Sequence, residues 1–239
     1  LQNQKEEKKG WLGSRRKDGR IECVPFTLGT ATGRMSHKNL VNVPGAKATF
    51  GKEMREIFIA PRDRVLVGCD LASAQLRLLA AAMGDKTYSE TVITGKEAKG
   101  TDVHTVNQKA AGLRTRAQAK TFIYAFLYGA GSAKIGDVVG GGVKEGTMLK
   151  RRFLKTLPAL QSLIDAVEQK VKATGSLKGL DGRPLPVRSV HSALNLLLQS
   201  CGAVLMKKAT VILMDQIKKR GLDARLVAHV HDEVQLEVR

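Results

Sequence analysis

Two β-forming regions that lie far apart in the sequence constrain the fold most. One is the apolar run Val65-Leu66-Val67-Gly68-Cys69, and the other, residues 226–238, holds two more such runs around His231-Asp232-Glu233. Short runs of this kind, rich in Val and Leu, predict strands. Residues 73–219, between the two regions, are mostly helical in pattern. This order predicts an α+β fold, with an antiparallel sheet into which a helical subdomain is inserted.

Capping and stop signals place helices within the central segment. The third of these helices, over about 116–128, is the clearest, because Thr115 is a predicted N-cap and Gln118 completes a capping box. Glycines and a proline give further boundaries. The predicted elements are helices over about 73–83 (ended by Gly84), 101–112, 147–156, 158–173 and 192–219, a hairpin turn at Leu180-Asp181-Gly182-Arg183, a loose glycine-rich loop over 136–146, and a polar, loop-rich segment over 1–50.

The charge balance predicts a polyanionic partner. The chain has 239 residues, with 40 Lys plus Arg against 22 Asp plus Glu and a formal net charge of +18. A basic surface of this size favours nucleic acid or another polyanion. The alternatives are a surface that only aids solubility, a ribosomal protein or a membrane-surface protein. An apolar content of 43% predicts a folded globule, and no apolar run approaches the roughly 18 residues that span a membrane.

The cysteines and the chain ends carry further expectations. Cys23, Cys69 and Cys201 are far apart and odd in number, which predicts reduced, buried and inert thiols in a cytosolic setting. Residues 1–9 are charged, which argues against a signal peptide. Because Leu1 is not an initiator Met and Arg239 follows a predicted strand closely, the chain is expected to be a fragment or one piece of a larger assembly.

Two aspartates are candidates for metal binding. Asp70 follows the first predicted strand, and Asp232 lies between the last two. If these strands are neighbours in one sheet, the carboxylates can share two divalent cations about 3.5–4 Å apart, an arrangement that supports in-line displacement at phosphorus. The alternative is that each Asp is a turn residue that bonds its own backbone.

The third helix carries a stripe suited to a nucleoside triphosphate. Arg116, Lys120 and Tyr124 recur every four residues and therefore share one face over about 12 Å. The cations suit phosphates, and the tyrosine offers a flat face for a base or sugar. The alternative is an amphipathic helix with a solvated basic edge. Phe122, Ile123 and other apolar residues fall on the remaining faces and predict its packing.

These motifs together resemble the family-A, DNA polymerase I-type enzymes, most closely their phage replicative branch. Asp70 to Arg77 is similar to the first palm motif, Arg116 to Gly129 to the fingers helix, and His231-Asp232-Glu233 to the second palm motif. The supporting matches are Thr32-Gly33-Arg34, Asn39 to Pro44, Asp102-Val103-His104-Thr105, Leu180 to Arg183 and Asn195 to Gln199. The resemblance covers most of the chain from about Gly10 onward.

The resemblance implies a role for each matching residue. Asp70, Asp232 and the main-chain carbonyl of Leu71 would hold two Mg²⁺ ions, with Glu233 and His231 supporting the metal site and the primer end. Asp70, Asp232 and Glu233 would be the catalytic residues. The implied nucleotide contacts are Arg116, Lys120, Tyr124, His104 and Gln75, and the implied DNA contacts are Arg34, Tyr128, Gly129, Gln199, Asn195, His231 and Arg183.

The resemblance also implies a right-hand architecture and a reaction. Residues 1–50 would lead into the palm, 51–100 would form its first part, 101–175 the fingers and 176–239 the second part of the palm. The chain would extend a primer with dNTPs on template DNA in a bacterial host's cytoplasm, without a membrane partner. A thumb is not evident and no acidic exonuclease motifs are recognisable, so these parts are expected to be missing or on another chain.

One residue departs from the family pattern, and three other functions stay open. Gln75 stands where the family commonly has a Glu that helps to exclude the ribose 2′-hydroxyl. The first alternative is therefore an enzyme similar to the single-subunit RNA polymerases. The second is a metal-dependent nuclease, which would not need the triphosphate stripe. The third is a non-catalytic, nucleic-acid-binding polymerase remnant.

Overall fold

The computed structural model describes residues 10–239, so the expectation about a signal peptide in residues 1–9 lies outside the described part of the chain. The strands are β1 (Cys23–Phe26), β2 (Ser36–Asn39), β3 (Val65–Asp70), β4 (Ser176–Lys178), β5 (Pro184–Pro186), β6 (Ala224–Val230) and β7 (Glu233–Val238). The α-helices are α1 (Gly51–Glu56), α2 (Ala74–Met83), α3 (Lys86–Thr94), α4 (Val103–Ala111), α5 (Arg116–Leu127), α6 (Ser132–Asp137), α7 (Val143–Thr156), α8 (Pro158–Thr174) and α9 (Ala193–Lys219). The α+β prediction with antiparallel sheets is confirmed.

The chain forms two compact units. The first combines the chain up to Ala72 with Ala203–Arg239, and the second is Ser73–Gly202. The second unit is thus an insertion in the sequence of the first, and α9 begins in one unit and ends in the other. The palm and fingers boundaries predicted at residues 50, 100 and 175 stay predictions.

A three-stranded antiparallel sheet organises the first unit. Its order is β3-β7-β6, and Asp70 at the end of β3 pairs with Glu233 at the start of β7. Strands β6 and β7 form a hairpin in which Val230 pairs with Glu233. The condition for a shared cation site, that the two aspartate-bearing regions are neighbours in one sheet, is therefore met.

A buried carboxylate ties the sheet to the segments that precede it. The Glu237 side chain is 3% exposed, and its oxygens lie 2.9 Å from the Arg20 guanidinium and 3.5 Å from that of Arg64. Arg64 also contacts Asp223 at 2.6 Å. A buried carboxylate needs such partners because an unpaired buried charge is costly. These contacts anchor the sheet that carries Asp70.

The prediction of three buried cysteines is wrong for Cys69. All three thiols are free, but Cys69 is exposed, while Cys23 and Cys201 are partly buried. The physical reason is that all six residues of β3 are exposed, and since successive side chains point to opposite faces of a strand, neither face of β3 is covered by the described part of the chain. An apolar run therefore does not by itself mean that a strand is covered on both faces.

The second unit packs around the helix that carries the α5 stripe (Arg116, Lys120 and Tyr124). Its buried face contributes Phe122 and Ile123 to a core with Leu76, Leu79 and Phe153. The rings of Phe122 and Phe153 meet edge to face with centroids 5.0 Å apart. This packing anchors the helix through its apolar residues, so the backbone that carries the α5 stripe is held firmly in place.

The glycine-rich segment is more ordered than the predicted loose loop. It includes the end of α6 and the start of α7, and Gly136 and Gly146 are buried. A Cβ added at Gly146 would lie 1.8 Å from the Ser132 carbonyl oxygen, and one at Gly136 would lie 2.0 Å from the Gly142 carbonyl oxygen. These two glycines are therefore needed for a close approach of α6 and α7.

Most local signals predicted the elements correctly. The Thr115–Gln118 capping box is present, and Gly84 and Gly112 adopt the left-handed conformation after their helices. The hairpin with Gly182 at its turn joins β4 and β5. The β1–β2 hairpin was missed, because β1 is only four residues long and contains Pro25, β2 is polar, and both lie within the segment interpreted as loops.

One helical segment is longer and more apolar than expected. Within the described residues, Val190–Lys219 has a window of mean hydropathy 1.5 and is long enough to cross a membrane, although only 28% of that window is buried. The expectation that no segment would reach this length and composition is wrong. Scattered polar residues interrupt the apolar residues of this helix, but they do not lower the mean hydropathy of the window enough to exclude it. The long helix of a water-soluble protein meets the same criterion, so this is weak evidence for a membrane segment.

Candidate functional site

The first group of predicted site residues lies where β3 meets the β6–β7 turn. Asp70 ends β3, and His231 and Asp232 form the turn between Val230 and Glu233. The Leu71 backbone N–H donates to the Asp232 carbonyl oxygen at 3.0 Å. His231 has a φ of 56°, the left-handed backbone that such a tight turn uses. Main-chain pairing therefore holds the two aspartates at one end of the sheet.

The carboxylates at this end influence one another. Burial raises the pKa of Asp70, and the negative charges of Asp232 and Glu233 raise it further. Within residues 10–239, no three His, Cys, Asp or Glu side chains converge as a preformed metal cluster. Two aspartates and the Leu71 carbonyl are nevertheless the hard oxygen donors that Mg²⁺ prefers, and a cation would relieve the repulsion between the carboxylates. The donor set therefore fits a divalent cation.

A hydrogen-bonded cluster supports the loop that carries Arg34. Lys207 Nζ donates to the Gly33 carbonyl oxygen at 2.7 Å and also to the Thr27 carbonyl oxygen. Nearby, the His37 ring contacts the His229 carbonyl oxygen at 2.7 Å through Nε2. Arg34, Lys207 and His231 line one small cleft. Sequence reasoning missed Lys207, because no local pattern links α9 to a loop more than 170 residues earlier.

The α5 stripe starts at an internal ion pair. Arg116 donates to Oδ1 of Asp102 through Nε at 3.1 Å and Nη2 at 2.9 Å, and it lies 3.0 Å from Glu97. Asp102 also accepts from the His104 backbone N–H and from Thr105 Oγ1, as the N-cap of α4. Burial alone would raise the pKa of Asp102, but the bonds from Arg116, Thr105 and His104 lower it to about 2.

His104 and Tyr124 come together in the second unit. Their ring centroids are 6.2 Å apart at an angle of 49°. His104 is buried, and its Nδ1 has no hydrogen-bond partner among the described residues. Burial lowers the pKa of His104, and the positive charges of Arg116 and Lys120 lower it further. The lowered pKa favours the neutral form of the imidazole.

The remaining predicted site residues of this unit have varied environments. Gln75 is buried, and its Oε1 has no hydrogen-bond partner among residues 10–239. Tyr128 is 49% exposed. Gly129 has a φ of 74°, and a Cβ there would lie 2.8 Å from the His191 carbonyl oxygen, so glycine is required. Arg183 is paired with Asp181 of its own turn at 2.7 Å.

The predicted site residues divide between the two compact units. Gln199 donates to Asn195 one turn earlier on α9, at 2.9 Å. The first unit holds Arg34, Asp70, Leu71, His231, Asp232 and Glu233, and the second holds Gln75, His104, Arg116, Lys120, Tyr124, Tyr128, Gly129, Arg183, Asn195 and Gln199. One group offers oxygen ligands for cations, and the other offers cations and rings for a phosphorylated, aromatic ligand.

Comparison with known sequences decides the family. The sequence profile of DNA polymerase family A matches residues 10–239. The chain belongs to DNA polymerase family A. Membership confirms the resemblance carried by the two palm motifs and the fingers helix.

Family-A relatives from phages and bacteria are similar over nearly the whole chain. The DNA-directed DNA polymerases of Enterobacteria phage T3 and Escherichia phage T7 are each 36% identical over 97% of this chain and 37% of their own length. DNA polymerase I of Aquifex aeolicus is 30% identical over 92% of this chain and 40% of its own length. The chain therefore spans well under half of each of these relatives.

A solved family-A structure has the same fold. The polymerase domain of Pol1 from M. smegmatis, in complex with a DNA primer-template and dNTP, matches with a TM-score of 0.84 and 24% sequence identity. The match covers 95% of this chain and 43% of that structure's chain. At this identity the likeness establishes the fold, and the family profile carries the assignment.

Proposed function

We propose that this chain supplies the palm and fingers portion of a DNA-directed DNA polymerase that transfers nucleotides from dNTPs to a primer 3′-hydroxyl. The observation that carries the proposal is the backbone tie from Leu71 to Asp232, which places two carboxylates at one end of the sheet in a family-A chain. Relatives of this family are DNA-directed DNA polymerases. The net charge of +18 suits a DNA partner.

The carboxylate group would hold the metals. Asp70, Asp232 and the Leu71 carbonyl are the proposed ligands of two Mg²⁺ ions, with Glu233 beside them. When bound, such ions supply charge stabilisation at the attacking and leaving oxygens of a phosphoryl transfer. The sheet contributes by fixing the direction of both aspartates before the ions arrive.

The α5 stripe would bind the incoming nucleotide. Lys120 is exposed, and Arg116 is held in place by Asp102, so both can meet phosphate oxygens. The neutral His104 can offer a hydrogen bond to a phosphate without adding charge. Tyr124 would pack on the sugar and base. Charge that builds toward pyrophosphate is then met by cations already in position.

The DNA contacts and the remainder of the enzyme are also proposals. Arg34 and Gln199 would contact minor-groove acceptors shared by all correct base pairs, which checks geometry rather than sequence. Asn195, His231, Tyr128, Gly129 and Arg183 would contribute to binding of the primer-template. A thumb and any exonuclease would come from the further length that the relatives possess or from another chain.

One assay separates the proposed function from its alternatives. A 5′-labelled primer-template is incubated with the chain, Mg²⁺ and either dNTPs or NTPs, and the products are resolved by length. We expect template-dependent lengthening that prefers dNTPs. Shortening without lengthening would indicate a nuclease, and preference for NTPs would indicate an RNA polymerase. DNA binding with no change in length, in the presence of Mn²⁺ as well as Mg²⁺, would indicate a non-catalytic remnant.

A further inference from the structure

Helix α7 has an exposed basic face that the proposed active site does not use. Lys144, Met148, Arg151 and Lys155, here called the α7 stripe, are all exposed. Their spacings of four, three and four residues place them within about 60° of one helix face and over about 16 Å. On the opposite face, Phe153 packs in the core of the second unit. The stripe therefore lies on a firmly anchored helix.

The positive charge of this stripe is not neutralised within the described chain. Among residues 10–239, Lys144, Arg151 and Lys155 form no ion pair with a carboxylate. Glu145 is the one acidic residue of α7, and it accepts from the Gly142 backbone N–H at 2.8 Å as part of a cap. The stripe therefore presents three cations to solvent without a local counterion.

Two neighbouring cations are occupied elsewhere and do not belong to the stripe. Lys150 Nζ donates to the Ala130 carbonyl oxygen at 2.6 Å. The Arg152 guanidinium lies over the end of α4. A Cβ added at Gly112, which follows α4, would lie 2.1 Å from the guanidinium carbon Cζ. These contacts are intramolecular and structural. The free cations are thus concentrated in one row.

We propose that the α7 stripe binds the phosphate backbone of single-stranded template DNA that has not yet been copied. Cations that are aligned on one helix face and lack local counterions suit a repeating anion. Met148 and Val143 are 54% and 61% exposed beside them, and such apolar groups can meet base faces, which are accessible in a single strand and hidden in a duplex. The inference rests on the proposed polymerase function, because that function requires an uncopied template strand.

The test measures DNA binding without dNTPs, so it does not depend on synthesis. The affinities of the wild-type chain and of a triple variant, Lys144→Gln, Arg151→Gln and Lys155→Gln, are measured by fluorescence anisotropy from 50 to 200 mM salt. The two substrates share one duplex and carry template overhangs of 2 or 12 nucleotides. Three single-strand phosphate contacts contribute about −2 to the slope of log affinity against log salt concentration. With the long overhang, the affinity of the wild type should therefore fall roughly 20-fold more than that of the variant between 50 and 200 mM salt.

A matched control removes the same charge from other helices. The control variant carries Lys86→Gln, Lys170→Gln and Lys218→Gln, which are exposed residues of α3, α8 and α9. We expect its salt slope to equal that of the wild type, and we expect all three proteins to bind the short overhang equally. Single-nucleotide incorporation on the short overhang should also be unchanged in the stripe variant.

Two results would overturn this proposal. If the stripe and control variants lose the same affinity for the long-overhang substrate, the stripe contributes only through the net charge of the chain. An equal loss by the stripe variant on both substrates would assign the stripe to duplex DNA. Absence of primer extension by the wild type would instead refute the proposed function, whatever the binding data show.

Discussion

Arg116 directs two hydrogen bonds to a single carboxylate oxygen of Asp102, from Nε at 3.1 Å and from Nη2 at 2.9 Å. The same oxygen accepts from the His104 backbone N–H. One carboxylate therefore joins the start of α4, which carries His104, to the first turn of α5, which carries the α5 stripe. The two helices are fixed relative to one another before any nucleotide binds.

Asp102→Asn should remove stability that depends on this carboxylate. The pKa of Asp102 in the folded chain is about 2, below the ordinary value of about 3.9 for an aspartate. A depressed pKa adds stability above pH 4, by at most about 2 kcal/mol, and that stability is lost as the pH falls toward 2. Urea unfolding of wild type and variant at pH 6 and at pH 2.5 measures the effect. A stability difference that is the same at both pH values would contradict the assignment.

Thr115→Ala should destabilise the helix that carries the stripe. Thr115 Oγ1 accepts from the Gln118 backbone N–H at 3.1 Å, and the Thr115 backbone N–H donates to Gln118 Oε1. Loss of an N-cap typically costs about 1 kcal/mol. Chemical denaturation measures the cost, and Thr115→Ser, which keeps the acceptor, should recover most of it. Equal losses for Ala and Ser would mean that the threonine methyl group, rather than the cap, matters.

Gly146→Ala should disrupt the packing of α6 on α7. The added Cβ would lie 1.8 Å from the Ser132 carbonyl oxygen, which belongs to the backbone and cannot rotate away. We expect a loss of about 2 kcal/mol or more in the free energy of unfolding. Gly131→Ala is the control, because φ there is −64° and a Cβ would have open space. A thermal midpoint for Gly146→Ala equal to that of the control would refute the close approach.

Gln75→Glu should sharpen selection against ribonucleotides. Gln75 is buried with an unpartnered Oε1, so it fills space without the charge-assisted bonds that a carboxylate makes. Those bonds, worth roughly 1.5–3 kcal/mol when buried, would fix the side chain as a barrier to the 2′-hydroxyl. The ratio of kcat/KM for a dNTP to that for its NTP should then rise roughly tenfold. An unchanged ratio would show that Gln75 does not control sugar choice.

Sequence predicted what depends on neighbouring residues. The capping box at Thr115, the stop at Gly112 and the Asp70 and Asp232 strand ends are local signals, and the structure contains the predicted elements at each. The family motifs added candidate residues such as Arg34 and Gln199 that spacing alone could not identify. Their roles stay predictions that the experiments above address.

Sequence could not predict what depends on distant partners. The Asp102–Arg116 bond joins two helices, and Lys207 holds a loop more than 170 residues away. Cys69 is exposed because neither face of β3 is covered by the described residues, which depends on the packing of distant elements and not on the apolar run itself. The glycine-rich segment looked flexible, yet Gly146 is needed for contact with Ser132, a relationship invisible until α6 and α7 are folded.

The central claim is that Asp70 and Asp232 are the metal-binding carboxylates of a DNA polymerase. The decisive measurement is single-turnover primer extension over a range of Mg²⁺ concentrations, with Asp70→Asn, Asp232→Asn and the exposed control Asp63→Asn, alongside DNA affinity. We predict a loss of about 10³-fold or more in rate for the first two, unchanged DNA affinity, and a normal rate for the control. Extension by either Asp70→Asn or Asp232→Asn at the control rate would contradict the account.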